Sequence, residues 1–106
     1  CISIVDKFLE HPRVMMFGKR GKEKVFISSS DWMTRNLDNR VEVTCPIYDA
    51  DVKQEIIETF DICWQDNVKA RTITQAQDNA YRQVDGPPLR SQFVTYDYYL
   101  EKLGWK

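Results

Sequence analysis

VMMFGKRGKEKVFISSSD, residues 14–31, sets two apolar runs around a polar stretch that holds two glycines. The runs at 14–17 and 25–27 are short and rich in residues that suit a pleated, half-buried surface. GKRGKEK between them supplies the glycines and charges of a solvent-facing turn. The stretch predicts a β-hairpin whose bend is relaxed by Gly18 and Gly21. A solvated loop is the simplest reading of its lysines. Ser28, Ser29, Ser30 and Asp31 follow the second run directly, so three hydroxyls and a carboxylate stand at the end of a strand, a common place for a site.

Upstream, Ile2, Val5, Phe8 and Leu9 fall at helical spacing, with Ser3 and Asp6 placed as a capping box, and Pro12 ends that expected helix. Downstream, 41–47 is β-rich, and Pro46 argues that this strand finishes there or runs along an edge. Asp51 and Gln54 are placed to cap a helix whose stripe of Val52, Ile56, Phe60, Cys63 and Trp64 should bury against strands near Val14, Val25 and Val41. That places Cys63 in the core. A short strand is expected at 68–73. The polar stretch 75–88 reads as a surface loop with one helical turn around Ala80, and helical spacing returns over 91–103. Its tyrosines read as packing residues. Strands and helices in mixed order define an α/β domain, with α+β left open because strand direction is not legible.

The whole chain has 106 residues, 42% hydrophobic and 29% charged. These values fit one folded domain with one core. No run of about 18 apolar residues is present to cross a membrane, and 1–14 is charged too early for a signal peptide. Cys1, Cys45 and Cys63 are odd in number and widely spaced. They suggest neither a disulfide framework nor a zinc site, and fit a reducing cytoplasm. The chain opens on Cys1 rather than Met, and reads as a piece of something longer. Net charge is −1, yet residues 1–40 hold eight Lys and Arg against five acids. That local excess suits an anionic partner such as a phosphate chain or a nucleotide.

Chemistry concentrates in three neighbouring strings: His11-Pro12-Arg13, the run from Ser28 to Asn36, and Asn36-Leu37-Asp38-Asn39-Arg40-Val41-Glu42. Each has a structural explanation beside the functional one. His11 is the chain's one histidine, and a histidine before proline often serves only as a surface or cap residue. Arg40 and Glu42 would share a strand face as an ion pair, and Asp31 and Arg35 would pair across a helical turn.

Together FLEHPRVMMF, VFISSSDWMTRNLDNRVEV and DNVKAR closely resemble the C-terminal part of the bacterial polyphosphate kinase family, type 1, from about Ile2 to Arg71. The final stretch, with Gln92 and Tyr96-Asp97-Tyr98, is similar to the family's last helix. The resemblance implies a phospholipase D-like lobe, a mixed sheet flanked by helices, with this chain as most of the last lobe. It implies reversible transfer of the terminal phosphate of ATP to inorganic polyphosphate, through a phosphohistidine in the preceding lobe and outside this chain. Carried over by motif, His11 is the histidine of E-H-x-R, at the ATP site and assisting transfer, and Arg40 is the arginine of N-x-D-x-R-x-E, lining the phosphate tunnel. Mg2+ is implied by the triphosphate and would be bound mainly outside this chain, since no carboxylate cluster here has ligand spacing. ATP or ADP, polyphosphate, the rest of the same polypeptide and further copies of it are the implied partners; nucleic acid is not. A cytoplasmic location is expected, with peripheral attachment to the inner membrane left open.

Two departures qualify the wider resemblance. The phospholipase D motif H-x-K followed by G-S-x-N is replaced by His11-Pro12-Arg13 and Ser28-Ser29-Ser30-Asp31. This disfavours a phosphodiesterase acting on lipid or nucleic acid, the alternative activity. A non-catalytic polyanion-binding module is the other. The Gly18-Lys19-Arg20-Gly21 turn also differs from the family's usual Asn-Gly-Gly. Physically, phosphoryl transfer asks for in-line positioning and for charge stabilisation on the equatorial oxygens. A bidentate, permanently charged Arg40 suits the second task, and a protonated His11 donating to a bridging oxygen suits the departure of the leaving group.

Overall fold

The computed structural model describes residues 1–19 and 21–105, so Arg20 of the hairpin turn lies outside the described residues. The chain forms two compact units, Glu10–Ile56 and Cys1–Leu9 with Ile57–Lys106. Strands and helices follow one another in mixed order, as expected of an α/β chain, and among the described residues the strand pairs are all antiparallel.

In the Glu10–Ile56 unit, strands β2 (Val14–Phe17) and β3 (Lys24–Ser28) form the expected hairpin, with Val14 opposite Ile27 and Phe17 opposite Lys24. Gly18 has φ +114, and a Cβ there would stand 2.9 Å from the Lys22 carbonyl oxygen, so glycine is required at the bend. A short helix α1 (Thr34–Asn39) leads to β4 (Thr44–Ile47), which pairs with β3 to give the order β2-β3-β4. Pro46 sits on that outer strand opposite Phe26, where its missing N–H costs least. The strand starts later than 41–47 predicts, and Val41 is 99% exposed. Val25, central in the sheet between Met16 and Ile47, is 1% exposed.

The other unit opens with a difference. Residues Ile2–Ile4 are strand β1, paired with β5 (Ala70–Thr72), and not the start of a helix. Two β-branched isoleucines two apart match a strand period, and their partner lies almost seventy residues away. Asp6 is no helix cap: its carboxylate takes both Nε and Nη2 of Arg90, at 2.8 and 2.5 Å. Around Ala80 the expected helical turn is replaced by extended chain, with the Thr72 N–H on the Ala80 carbonyl and the Arg82 N–H on the Ala70 carbonyl.

Helix α2 (Ala50–Gln65) contributes residues to both units, and α3 (Ser91–Lys102) lies in the second. Asp49, and not Asp51, caps α2: its Oδ1 accepts the N–H groups of Asp51 and Val52 at 3.0 and 2.9 Å. Val52, Phe60 and Trp64 remain 44–47% exposed, so the predicted stripe is not buried, and Cys63 is only half-buried. The Phe60 and Trp64 rings stack with centroids 6.3 Å apart. The second unit is organised around polar Asp66, fully buried, whose Oδ1 accepts from Val68, Lys69 and Ala70 and whose Oδ2 accepts from Ser91. Tyr98, read as packing, also donates to Glu58 at 2.5 Å.

Candidate functional site

The carboxyl end of β3, the chain entering β2 and the α1–β4 connection enclose an open cleft of about 660 Å³ in the Glu10–Ile56 unit. Its walls include Arg13, Ser28, Asp31, Asn36, Arg40 and Glu42. The three sequence strings therefore converge. Ser28 and Ser29 lie where the hairpin strand runs out, and Asn36 is presented by the only helical segment between β3 and β4 among the described residues.

Two carboxylates organise the walls. Asp31 accepts from Arg13 Nε at 2.6 Å, with His11 Nε2 at 3.6 Å from the same oxygen. The Arg13 hydrogen bond, with the charges of Arg13, His11 and Arg35, holds the Asp31 carboxyl below its usual range despite partial burial. Arg35 is a minor contributor here, and the Asp31 to Arg35 ion pair expected from sequence does not form. Glu42 accepts from the Ser29 hydroxyl and from Asn36 Nδ2, the latter at 2.8 Å. Those two bonds lead the causes that keep its carboxyl low, with the charges of Arg40 and Arg13 adding less. Ser29 Oγ in turn accepts the Val43 N–H at 3.0 Å, so Val43 and the Glu42 side chain are both tied to the end of β3.

Arg40 follows directly after α1 and lines the cleft. No Arg40–Glu42 ion pair forms: Arg40 is off the strand, and among the described residues its guanidinium has no hydrogen-bond or salt-bridge partner. Its donors are free for an anion. His11 stands beside the cleft, with its side chain 57% exposed, and reaches the wall at Asp31. Arg13, Asp31 and Asn36 lie within the strings, and the structure adds them to the site. The sequence signal for Arg13 and Asp31 is the opposite charge in E-H-x-R and S-S-x-D, whose pairing spans 18 residues and is invisible to local periodicity. Among the described residues, no three His, Cys, Asp or Glu side chains gather into a possible metal site, and no helix is long and apolar enough to cross a membrane.

Fold and cleft together define an α/β unit with hydroxyl, carboxylate and guanidinium groups gathered at one end of a sheet. Residues 1–92 match the polyphosphate kinase C-terminal domain 2 family, and the chain belongs to it. It is 50% identical over 98 residues to the polyphosphate kinase of Vibrio vulnificus and 46% identical over 98 residues to that of Escherichia coli K12, covering 92% of this chain in each case. The crystal structure of polyphosphate kinase from Porphyromonas gingivalis superposes on 99% of the chain with a TM-score of 0.90 and 42% identity. The chain spans 14% of the length of those two curated relatives and 16% of that crystallised chain.

Proposed function

We propose that this chain is most of the last lobe of a polyphosphate kinase that reversibly transfers the terminal phosphate of ATP to inorganic polyphosphate. The phosphohistidine intermediate lies outside this chain. The observation that carries the reading is the uncommitted guanidinium of Arg40 in the cleft, in a chain belonging to a polyphosphate kinase family. Arg40 holds two phosphate oxygens by its planar fork. His11 is the catalytic residue on this side: its imidazolium donates to the bridging oxygen as the phosphoryl group moves, and it also binds the phosphate chain. The nucleophile is a histidine of the preceding lobe, with which transfer divides into two displacements.

The cleft does not fit a magnesium site. Among the described residues no three His, Cys, Asp or Glu side chains gather there, and Asp31 and Glu42 are engaged by Arg13 and by Ser29 and Asn36. The Mg2+ that accompanies ATP is held mainly by residues outside this chain. ATP or ADP, polyphosphate, the remaining domains of the same polypeptide and further copies of it are the partners, in the cytoplasm or peripherally at the inner membrane.

Turnover and melting of the full-length protein test this. His11→Ala is expected to lower transfer between ATP and polyphosphate roughly 100- to 10,000-fold with an unchanged melting curve. Arg40→Lys keeps the charge but loses the fork, and should also impair transfer. Near-normal activity of His11→Ala, or an Arg40→Lys loss that merely tracks unfolding, removes these residues from the site. Hydrolysis of a generic phosphodiester, with no transfer to polyphosphate, would replace the reading by the phosphodiesterase. Binding of polyphosphate without turnover would replace it by a polyanion-binding module.

A further inference from the structure

Arg13 and Asp31 form a close ion pair at the cleft, yet nothing in the proposed transfer uses Asp31. Its geometry is lopsided in an informative way. A single oxygen, Oδ1, takes Arg13 Nε at 2.6 Å and faces His11 Nε2 at 3.6 Å. Both partners of the ion pair are largely covered, with side chains 27% and 33% exposed, while His11 is 57% exposed. The histidine is thus the loose member, resting against an anchored carboxylate. Arg13 and His11 flank Pro12, which fixes one backbone dihedral between them. Asp31 follows the end of β3, where the Ser30 N–H is tied to Ser28 Oγ at 3.1 Å and Ser30 Oγ donates to the Asp31 carbonyl. The carboxylate is therefore placed by the sheet. The imidazole is placed only by what it touches.

We infer that Asp31 is a positioning residue for His11: the carboxylate, fixed by Arg13, holds the Nε2 side of the exposed imidazole and leaves Nδ1 as the nitrogen that donates to phosphate. The inference rests on the proposed role of His11. An exposed side chain free to swing loses the orientation on which group transfer depends, and a displacement of about 1 Å can cost about 100-fold in rate. Arg13 serves the carboxylate in turn. Without it, the negative charge of Asp31 would be free to oppose an arriving phosphate.

The test is kinetics of the full-length protein for Asp31→Asn, Asp31→Glu, His11→Ala and the Asp31→Asn/His11→Ala double variant, with melting curves for each. Asp31→Asn is expected to lower kcat roughly 10- to 100-fold while KM for ATP moves less than about 3-fold, the signature of lost orientation rather than lost binding. Asp31→Glu, which retains the charge, should keep more turnover than Asp31→Asn. In the His11→Ala background the Asp31→Asn change should cost nothing further, because the group through which it acts is gone. Additive losses in the double variant, equal losses in Asp31→Asn and Asp31→Glu, or losses that follow the melting temperature would overturn the inference while leaving His11 in its role. Normal turnover in His11→Ala would overturn both.

Discussion

Asp66 shows how much one side chain organises when its oxygens are filled. Four backbone N–H groups, from Val68, Lys69, Ala70 and Ser91, converge on its two oxygens at 2.7–3.0 Å. Burial pushes the carboxyl up, but the N–H donors together outweigh it and hold it below its ordinary range. Asp66→Asn keeps an acceptor for one side of this set and turns an amide N–H₂ toward another backbone N–H on the other, so about 1–3 kcal/mol of stability should be lost in urea unfolding. Asp6 is lowered as well, chiefly by its hydrogen bond from Arg90. A carboxyl lowered by folding contributes stability above its unfolded-state value and loses it as pH falls through the folded one. Melting temperature should therefore decline below the ordinary aspartate range, and less steeply in Asp66→Asn. Little of this was legible beforehand. Asp66 and Ser91 are 25 residues apart, and only the fold brings them together. His11 and Arg40 are singled out by family motifs alone, whereas the Arg13–Asp31 contact spans 18 residues and exists only through the fold.

Elements were readable where a local rule had no rival. Two glycines between apolar runs specified the β2–β3 hairpin, and the helical stripe around Ile56 specified α2. At Gly18 the rule is steric, so Gly18→Ala should cost about 1–3 kcal/mol through positive φ and the clash with the Lys22 carbonyl, measured as a lowered unfolding midpoint. Where two rules competed, the tertiary partner decided. Ile2, Val5, Phe8 and Leu9 have helical spacing, but antiparallel pairing with Ala70–Thr72 satisfies the Ile2–Ile4 backbone instead. The stripe on α2 is apolar as its spacing predicts but stays partly exposed, since periodicity reports a face and not what covers it. Trp64 keeps one face on Phe60 and has Arg82 5.5 Å from its ring centre, with Arg82 Nη1 also donating to the Trp64 carbonyl. Trp64→Ala should accordingly cost about 1–2 kcal/mol, well short of the 3–5 kcal/mol of a fully buried tryptophan. A loss in the larger range would mean that the ring is covered in the full-length protein.

At the scale of the whole molecule, apolar surface is plentiful and the fully buried core small. Val25 and Ala70 are the buried hydrophobic residues among those described, while Leu9 is 94%, Tyr48 86% and Trp32 85% exposed. The second consideration is chemical. A transfer that passes through a phosphohistidine and is assisted by another histidine needs two imidazoles, and this chain has one. On the proposed mechanism the cleft holds and polarises phosphates but has no nucleophile of its own. The 106-residue chain prepared alone should therefore form no polyphosphate from ATP and no ATP from polyphosphate, when radiolabelled phosphate is followed in both directions and circular dichroism verifies that the strands and helices are present. The full-length protein under the same conditions should do both. Adding the chain to a full-length protein carrying His11→Ala should not restore turnover unless the two exchange lobes. Measurable transfer by the folded chain alone would mean that His11 is itself the phosphoryl acceptor, and that the division of labour between two lobes is wrong.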